Sequence, residues 1–282
     1  MIRAMIGFGE LRKRALEWQW DIADVERAYA TNWLLKGIYD QAPLAQHLLL
    51  RGGSALRYGY SADYPLADPP EFLSTRPELV THAALAQAMQ TAQATSGLKF
   101  AFNTFERGTA KFEYTGPLGR RSAAQPRITL AFIPGQPRLD PARVPLVHPF
   151  GDTCAATVTA LALAELVAER MAILGQKPRA RDVFDLWFAV ARLSDRIAWP
   201  RVRALMQEIA EAKHISPPLP NAPFDPGHRE FLQLTWDKAL HNVPRHPPFS
   251  QVEQQVSSLM SHVSGPKSQV TDDPPQDLTP AT

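Results

Sequence analysis

The residues best suited to chemistry lie where an apolar run meets two glycines and a serine. In Leu48-Leu49-Leu50-Arg51-Gly52-Gly53-Ser54-Ala55-Leu56-Arg57 the run breaks at the glycine pair and resumes as a helical pattern opening with Ser54. Backbone amides freed by a Gly-Gly turn, at the positive end of a new helix, form a seat for a phosphate. Ser54 at a helix start has an ordinary alternative as an N-cap, worth about 1 kcal/mol. Other chemistries find less support. The histidines His214, His228, His241 and His246 show no metal-ligand spacing with cysteine or acid, and no Gly-x-Ser-x-Gly nucleophile elbow occurs. Cys154 is the single cysteine, which excludes an internal disulfide framework and four-cysteine zinc sites and fits a reducing cytoplasm.

Stepping outward, the chain has 282 residues, enough for one large domain or two smaller ones sharing an interface. At 45% hydrophobic and 21% charged it has the composition of a globular protein, and a net charge of +2 gives no overall signal for a polyanionic partner. Basic runs at 11–14, 119–121 and 177–181 are local; each reads as a solvated face or as a contact for phosphates. No apolar stretch approaches the roughly 20 residues of a membrane span, so no membrane partner is expected and a cytoplasmic location is.

Periodicity places the elements around the turn. Helical spacing over 6–19, capping acids at Asp21 and Asp24 and a second helix to Tyr39 put two helices ahead of the glycines. Past Leu56 the pattern dissolves into a Tyr-, Asp- and Pro-rich loop, followed by an Ala-, Leu- and Gln-rich helix over 77–94. The period then changes. Residues 99–105, 109–114 and 127–133 are β-rich pieces separated by Gly and Pro, a small sheet. From Val158 the chain is expected to be helical, with a break at Gly175 to Pro178 and further helices over 181–193, 199–213, 229–240 and 249–263. The expected fold class is α+β: a small mixed sheet with helices in the N-terminal half (1–152), a helical bundle in the C-terminal half (153–263) and a tail (264–282) too polar to order itself.

Three blocks in order then resemble one family. Leu49-Leu50-Arg51-Gly52-Gly53-Ser54-Ala55-Leu56 is similar to the Gly-Gly-Ser/Thr motif of the AbiEii/AbiGii toxin family. Glu165-Leu166-Val167-Ala168-Glu169-Arg170-Met171 and Arg181-Asp182-Val183-Phe184-Asp185-Leu186 resemble its Ala-Glu-Lys-Leu helix and Arg-Asp-Leu-Tyr-Asp-Leu element. Between them, 114–117, 126–130 and Val147-His148-Pro149-Phe150 look like its central strands and His-Pro-aromatic corner. The resemblance implies a nucleotidyltransferase-like fold, a place in type IV toxin-antitoxin or phage-defence (abortive infection) systems, and transfer of a nucleotide from a nucleoside triphosphate to an acceptor such as RNA. An antitoxin partner is implied as well.

Carried over residue by residue, it implies that Gly52, Gly53, Ser54 and Arg170 bind the nucleotide and that Asp182 assists the acceptor. Glu71 with Asp68, or with Asp63 folded back across the loop, would hold magnesium if the protein is active. Nucleotidyl transfer usually sets Mg²⁺ between carboxylates and the triphosphate. The family pattern Arg-x-Ser-x-Asp-x-Asp-Phe falls on Pro65-Leu66-Ala67-Asp68-Pro69-Pro70-Glu71-Phe72, so Pro65, Ala67 and Pro69 replace three of its polar residues. Ala131 stands at the acid position of the central strand. That departure leaves a second expectation: a catalytically inactive relative that binds nucleotide, RNA or a protein partner. His148 is expected to be a packed corner residue, and Trp187 and Phe188 core.

Overall fold

The computed structural model describes residues 5–65, 69–119, 126–220 and 222–264. They divide between Leu161 and Ala162 into two compact units.

In the first unit, α1 (Phe8–Trp18) ends at Gln19, whose left-handed backbone (φ 57°) turns the chain into α2 (Ile22–Tyr39). The Asp21 carboxylate caps α2, accepting the Ala23 N–H at 2.8 Å. α2 is buried along nearly its whole length, as expected of a helix apolar on most faces. A short helix, α3 (Ala42–His47), then delivers the chain into β1 (Leu48–Leu50). Past the glycines come α4 (Gly52–Ala55), which continues as a π-helical turn over Leu56–Tyr60, and β2 (Glu71–Ser74). The Ala-rich helix is α5 (His82–Ser96), capped by Thr81 and stopped by Gly97 in the left-handed region; residues 77–79, expected to belong to it, form a separate 3₁₀ turn after Pro77. The strands β3 (Lys99–Glu106), β4 (Thr109–Thr115) and β5 (Arg127–Pro134) follow the predicted spans closely. β6 (Ala142–Pro145) and β7 (Thr157–Ala160) complete the set. The expectation of helix from Val158 is corrected here: Val158 lies in β7, whose neighbour is β1, and helix begins only at Leu163.

The seven strands form one mixed sheet in the order β3-β4-β5-β2-β1-β7-β6. β1 and β2 are antiparallel with Leu50 opposite Phe72, so the end of β1 and the start of β2 meet, and the glycine turn comes to lie beside Glu71. One face packs under α2 and α5 through Phe72, Phe112, Ile128, Leu130 and Phe132, with Phe72 and Phe132 stacked at 5.2 Å. The two helices approach each other at Gly37, where a Cβ would lie 2.2 Å from the Ala88 carbonyl oxygen and 3.1 Å from the Ala92 Cβ. Gly37→Ala is therefore expected to cost about 1–3 kcal/mol of overpacking, against a helix-propensity gain of at most about 1 kcal/mol. A thermal melt checks this, and an unchanged or raised midpoint would show that α2 can move off α5 freely.

The second unit is helical: α6 (Leu163–Ala172), α7 (Ala180–Leu193), α8 (Trp199–Ala212), α9 (Pro226–Ala239) and α10 (Phe249–Ser264). α7 buries Val183, Phe184, Leu186, Phe188 and Val190. Trp187 is half-buried and donates its indole N–H to Gln255 of α10 at 2.5 Å. Except for Ser264, the expected tail lies outside the described residues. Among the described residues no helix is long and apolar enough to cross a membrane.

Candidate functional site

The glycine turn has a distinct use for each of its residues. Gly52 has φ 53°, a backbone state that favours glycine. Gly53 is held by close approach: a Cβ there would lie 2.7 Å from the Tyr64 hydroxyl. The residue at the N-cap position of α4 is Arg51, and its side chain makes no capping bond to the first amides of the helix. This corrects the N-cap alternative for Ser54. The Ser54 hydroxyl is buried and accepts the Glu71 N–H at 2.9 Å, while the Arg51 N–H donates to the Glu71 carbonyl at 3.1 Å. Glu71 is thus fixed to the turn on both sides by backbone hydrogen bonds, and Gly52, Gly53, Ser54 and Glu71 come together in one place.

The acids around Glu71 are sparse. β2 and β5 are parallel with Glu71 opposite Ala131, and Ala131 pairs in turn with Thr109 of β4. Register partners share a face about 5 Å apart, so the position best placed to complete a carboxylate pair holds a methyl group. Asp63 is exposed on the loop, and Asp68 lies outside the described residues. Among the described residues no group of three or more His, Cys, Asp or Glu side chains gathers for a metal ion. Magnesium requires several oxygen ligands in near-octahedral order, and a lone glutamate does not supply them. The described residues therefore do not fit a magnesium ion held between carboxylates.

In the second unit, the residues of the second sequence block are brought together. Arg170, near the end of α6, points its guanidinium at two acids of α7: Nη1 lies 3.3 Å from Asp182 Oδ1, and Nη2 donates to Asp185 Oδ2 at 3.0 Å. Asp182 also accepts from the Arg179 side chain at 2.9 and 3.0 Å and reaches back to the Arg179 N–H at 3.2 Å, as a helix-opening acid does. Burial alone would raise the Asp182 carboxyl, but the Arg179 hydrogen bonds and the Arg170 charge outweigh it and hold the group below the usual carboxylate range. Likewise burial works against the Arg170 charge, yet Asp185 and Asp182 raise its guanidinium above the ordinary arginine value. Within the basic run 177–181, Arg179 thus serves α7, and Arg181 donates to Asn242 at 2.9 Å.

Two groups weighed from sequence prove structural. His148 Nε2 lies 2.7 Å from Asp152 Oδ1, and Asp152 Oδ2 accepts the Tyr29 hydroxyl at 2.7 Å. The Asn32 amide reaches His148 Nδ1 at 3.1 Å and the Val147 carbonyl at 2.8 Å. This network ties α2 to the corner after β6, and His148 is packed against Tyr29, Trp33 and Phe150. Cys154 is buried, and burial pushes its thiol up to about 12, away from nucleophilic use.

Arg57, in the π-helical turn, is only 3% exposed, and its guanidinium packs against both Trp18 and Trp20. A single basic residue four positions past a glycine gives no sequence signal of partners some forty residues earlier.

A family model described as the nucleotidyl transferase AbiEii toxin of a type IV toxin-antitoxin system matches residues 33–257. Among solved structures, the nucleotidyltransferase toxin MenT4 from Mycobacterium tuberculosis H37Rv is similar to this chain with a TM-score of 0.66 at 15% sequence identity, covering 93% of this chain and 91% of that one. At that identity the likeness speaks for the fold. No curated protein matches.

Proposed function

Because the chain belongs to the AbiEii nucleotidyl transferase toxin family of type IV toxin-antitoxin systems, we propose that it binds a nucleoside triphosphate at the Gly52-Gly53-Ser54 turn and transfers the nucleotide to an acceptor such as RNA. The observation that carries this is the uncapped start of α4 with a carboxylate-bearing residue, Glu71, fixed beside it by two backbone hydrogen bonds. The amides and the helix dipole favour phosphate oxygens, and Glu71 is the acid tied to the turn through Ser54 and Arg51. Arg170 and Asp182 keep the nucleotide and acceptor roles that the family resemblance implies. A cognate antitoxin is the partner expected to restrain the activity.

The finer expectation, magnesium held by Glu71 with Asp68, is tested by the metal dependence of binding. A second reading, binding without transfer, is favoured by Ala131 at the register position beside Glu71. The discriminating experiment incubates the purified protein with total RNA and each of the four ribonucleoside triphosphates labelled at the α-phosphate. Label appearing in RNA for one nucleotide supports transfer. Nucleotide binding without label in RNA, across magnesium and manganese, supports the second reading.

A further inference from the structure

Arg57 is buried beside the glycine turn at a cost that apolar packing would have avoided. An arginine taken out of water pays a large desolvation penalty unless its hydrogen bonds are met. Here its bonds run to backbone: Nη1 donates to the Ala62 carbonyl and, at 2.9 Å, to the Tyr64 carbonyl. Two indoles pack against it, their ring centroids 4.8 Å apart and edge to face, with the guanidinium carbon 5.3 Å from the Trp18 ring and 5.2 Å from the Trp20 ring. The left-handed Gln19 between the two tryptophans lets both rings reach the same cation. Burial pulls the guanidinium down to about 10, still charged at neutral pH.

Three further observations connect this cation to the turn. Arg57 is three residues past Ser54 on the same continuous helical segment, whose Leu56–Tyr60 portion is π-helical and closes with Ser61 N–H donating to Leu56 O at 2.8 Å. Such widened turns recur at functional sites. The segment it holds, 62–64, ends in Tyr64, which is fully buried and sets its hydroxyl against Gly53. Tyr64 also stands seven residues before Glu71 in sequence.

We infer that Arg57, packed against Trp18 and Trp20, is a positioning residue for the nucleotide site: it fixes the 62–64 segment so that Tyr64 holds Gly53 and the turn in phosphate-binding form. The inference rests on the nucleotide reading of the turn. It assigns α1 and its junction with α2 a role in a site they do not touch.

The test measures dissociation constants of ATP, GTP, CTP and UTP by calorimetry at a temperature where every variant is folded. Arg57→Lys keeps the charge but cannot span two carbonyls and two rings, and Trp20→Leu removes one ring while leaving Arg57 intact. Val252→Ala, in the second unit, serves as a control that lowers stability far from the clamp in sequence. For the nucleotide that binds the wild type, affinity is expected to fall by about tenfold to a hundredfold in Arg57→Lys and by a smaller factor in Trp20→Leu, with no change in Val252→Ala. Should Arg57→Lys fail to fold, Trp20→Leu carries the test. Unchanged affinity in the folded clamp variants overturns the clamp while leaving the nucleotide site standing. No binding by the wild type to any of the four overturns the nucleotide reading, and the clamp's role falls with it.

Discussion

Arg170→Ala is expected to lower the unfolding free energy by about 3–5 kcal/mol at neutral pH, the usual cost of removing one partner from a buried ion pair. Asp182 and Asp185 are almost completely buried on α7, and both lean on the Arg170 guanidinium. Without it, Asp185 loses a hydrogen-bonded cation and Asp182 retains only Arg179, whose side chain is 70% exposed. The dependence on pH has a definite sign. In the wild type Asp182 is held below its unfolded value, so its contribution is fully present above the unfolded carboxylate pKa of about 3.9 and is lost as pH falls through the folded value. In the variant the stranded carboxylates favour their neutral forms. The stability gap between wild type and variant should therefore narrow as pH falls through the raised carboxylate range of the variant and on through the lowered one of the wild type. Urea unfolding at pH 7 and pH 3.5 measures both. Equal stability of the two proteins at pH 7 would mean the cluster is held by something other than its charges, and would free Arg170 for a purely ligand-binding role.

Glu71→Gln is expected to reduce nucleotide transfer by about a hundredfold, the order of losing one group that positions the reacting phosphate, with little change in stability. The substitution keeps the shape, and the tie to the turn survives because it runs through the Glu71 backbone. A loss of transfer with an unchanged melt thus isolates the carboxylate. The companion variant is Ala131→Asp. It places a second carboxylate across the register from Glu71, about 5 Å away, at a modest like-charge cost. Mn²⁺ is expected to raise the melting midpoint of Ala131→Asp and to leave that of the wild type unmoved. A Mn²⁺ shift in the wild type that disappears in Asp68→Ala would instead restore the expected Asp68 and Glu71 pair.

The second unit was legible in the sequence because its helices repeat apolar residues at helical spacing over ten or more positions. Predicted and observed bounds agree within a turn, except at the first. There the run from Val158 through Leu161 was too short to reveal its period, and Thr157–Ala160 is a strand because β1 offers it an unpaired edge. β1 itself, three leucines buried on both faces, has no alternation to read.

The break at Gly52 and Gly53 was visible, but only half its reason was. Gly52 needs its left-handed backbone, whereas Gly53 answers to Tyr64, eleven residues on, a contact local pattern cannot forecast. Ser54 reads as a phosphate contact or a cap, and its hydroxyl meets Glu71, which becomes its neighbour only once β1 and β2 pair. The Arg170 cluster did leave a trace: Asp182 and Asp185 stand three apart, one face of a helix, opposite a cation. Arg57 left none, since its partners Trp18 and Trp20 meet it only through the left-handed turn at Gln19.

The most direct measurement is a thermal-shift titration of the full chain with ATP, GTP, CTP and UTP, each with and without Mg²⁺. A nucleotide site at the Gly52-Gly53-Ser54 turn predicts a raised midpoint for at least one of them, equivalent to about 2.7 kcal/mol at a hundred times the dissociation constant, and lost in Gly53→Val, whose side chain would displace the Tyr64 hydroxyl. No shift with any of the four, in either condition, would contradict nucleotide binding by this chain.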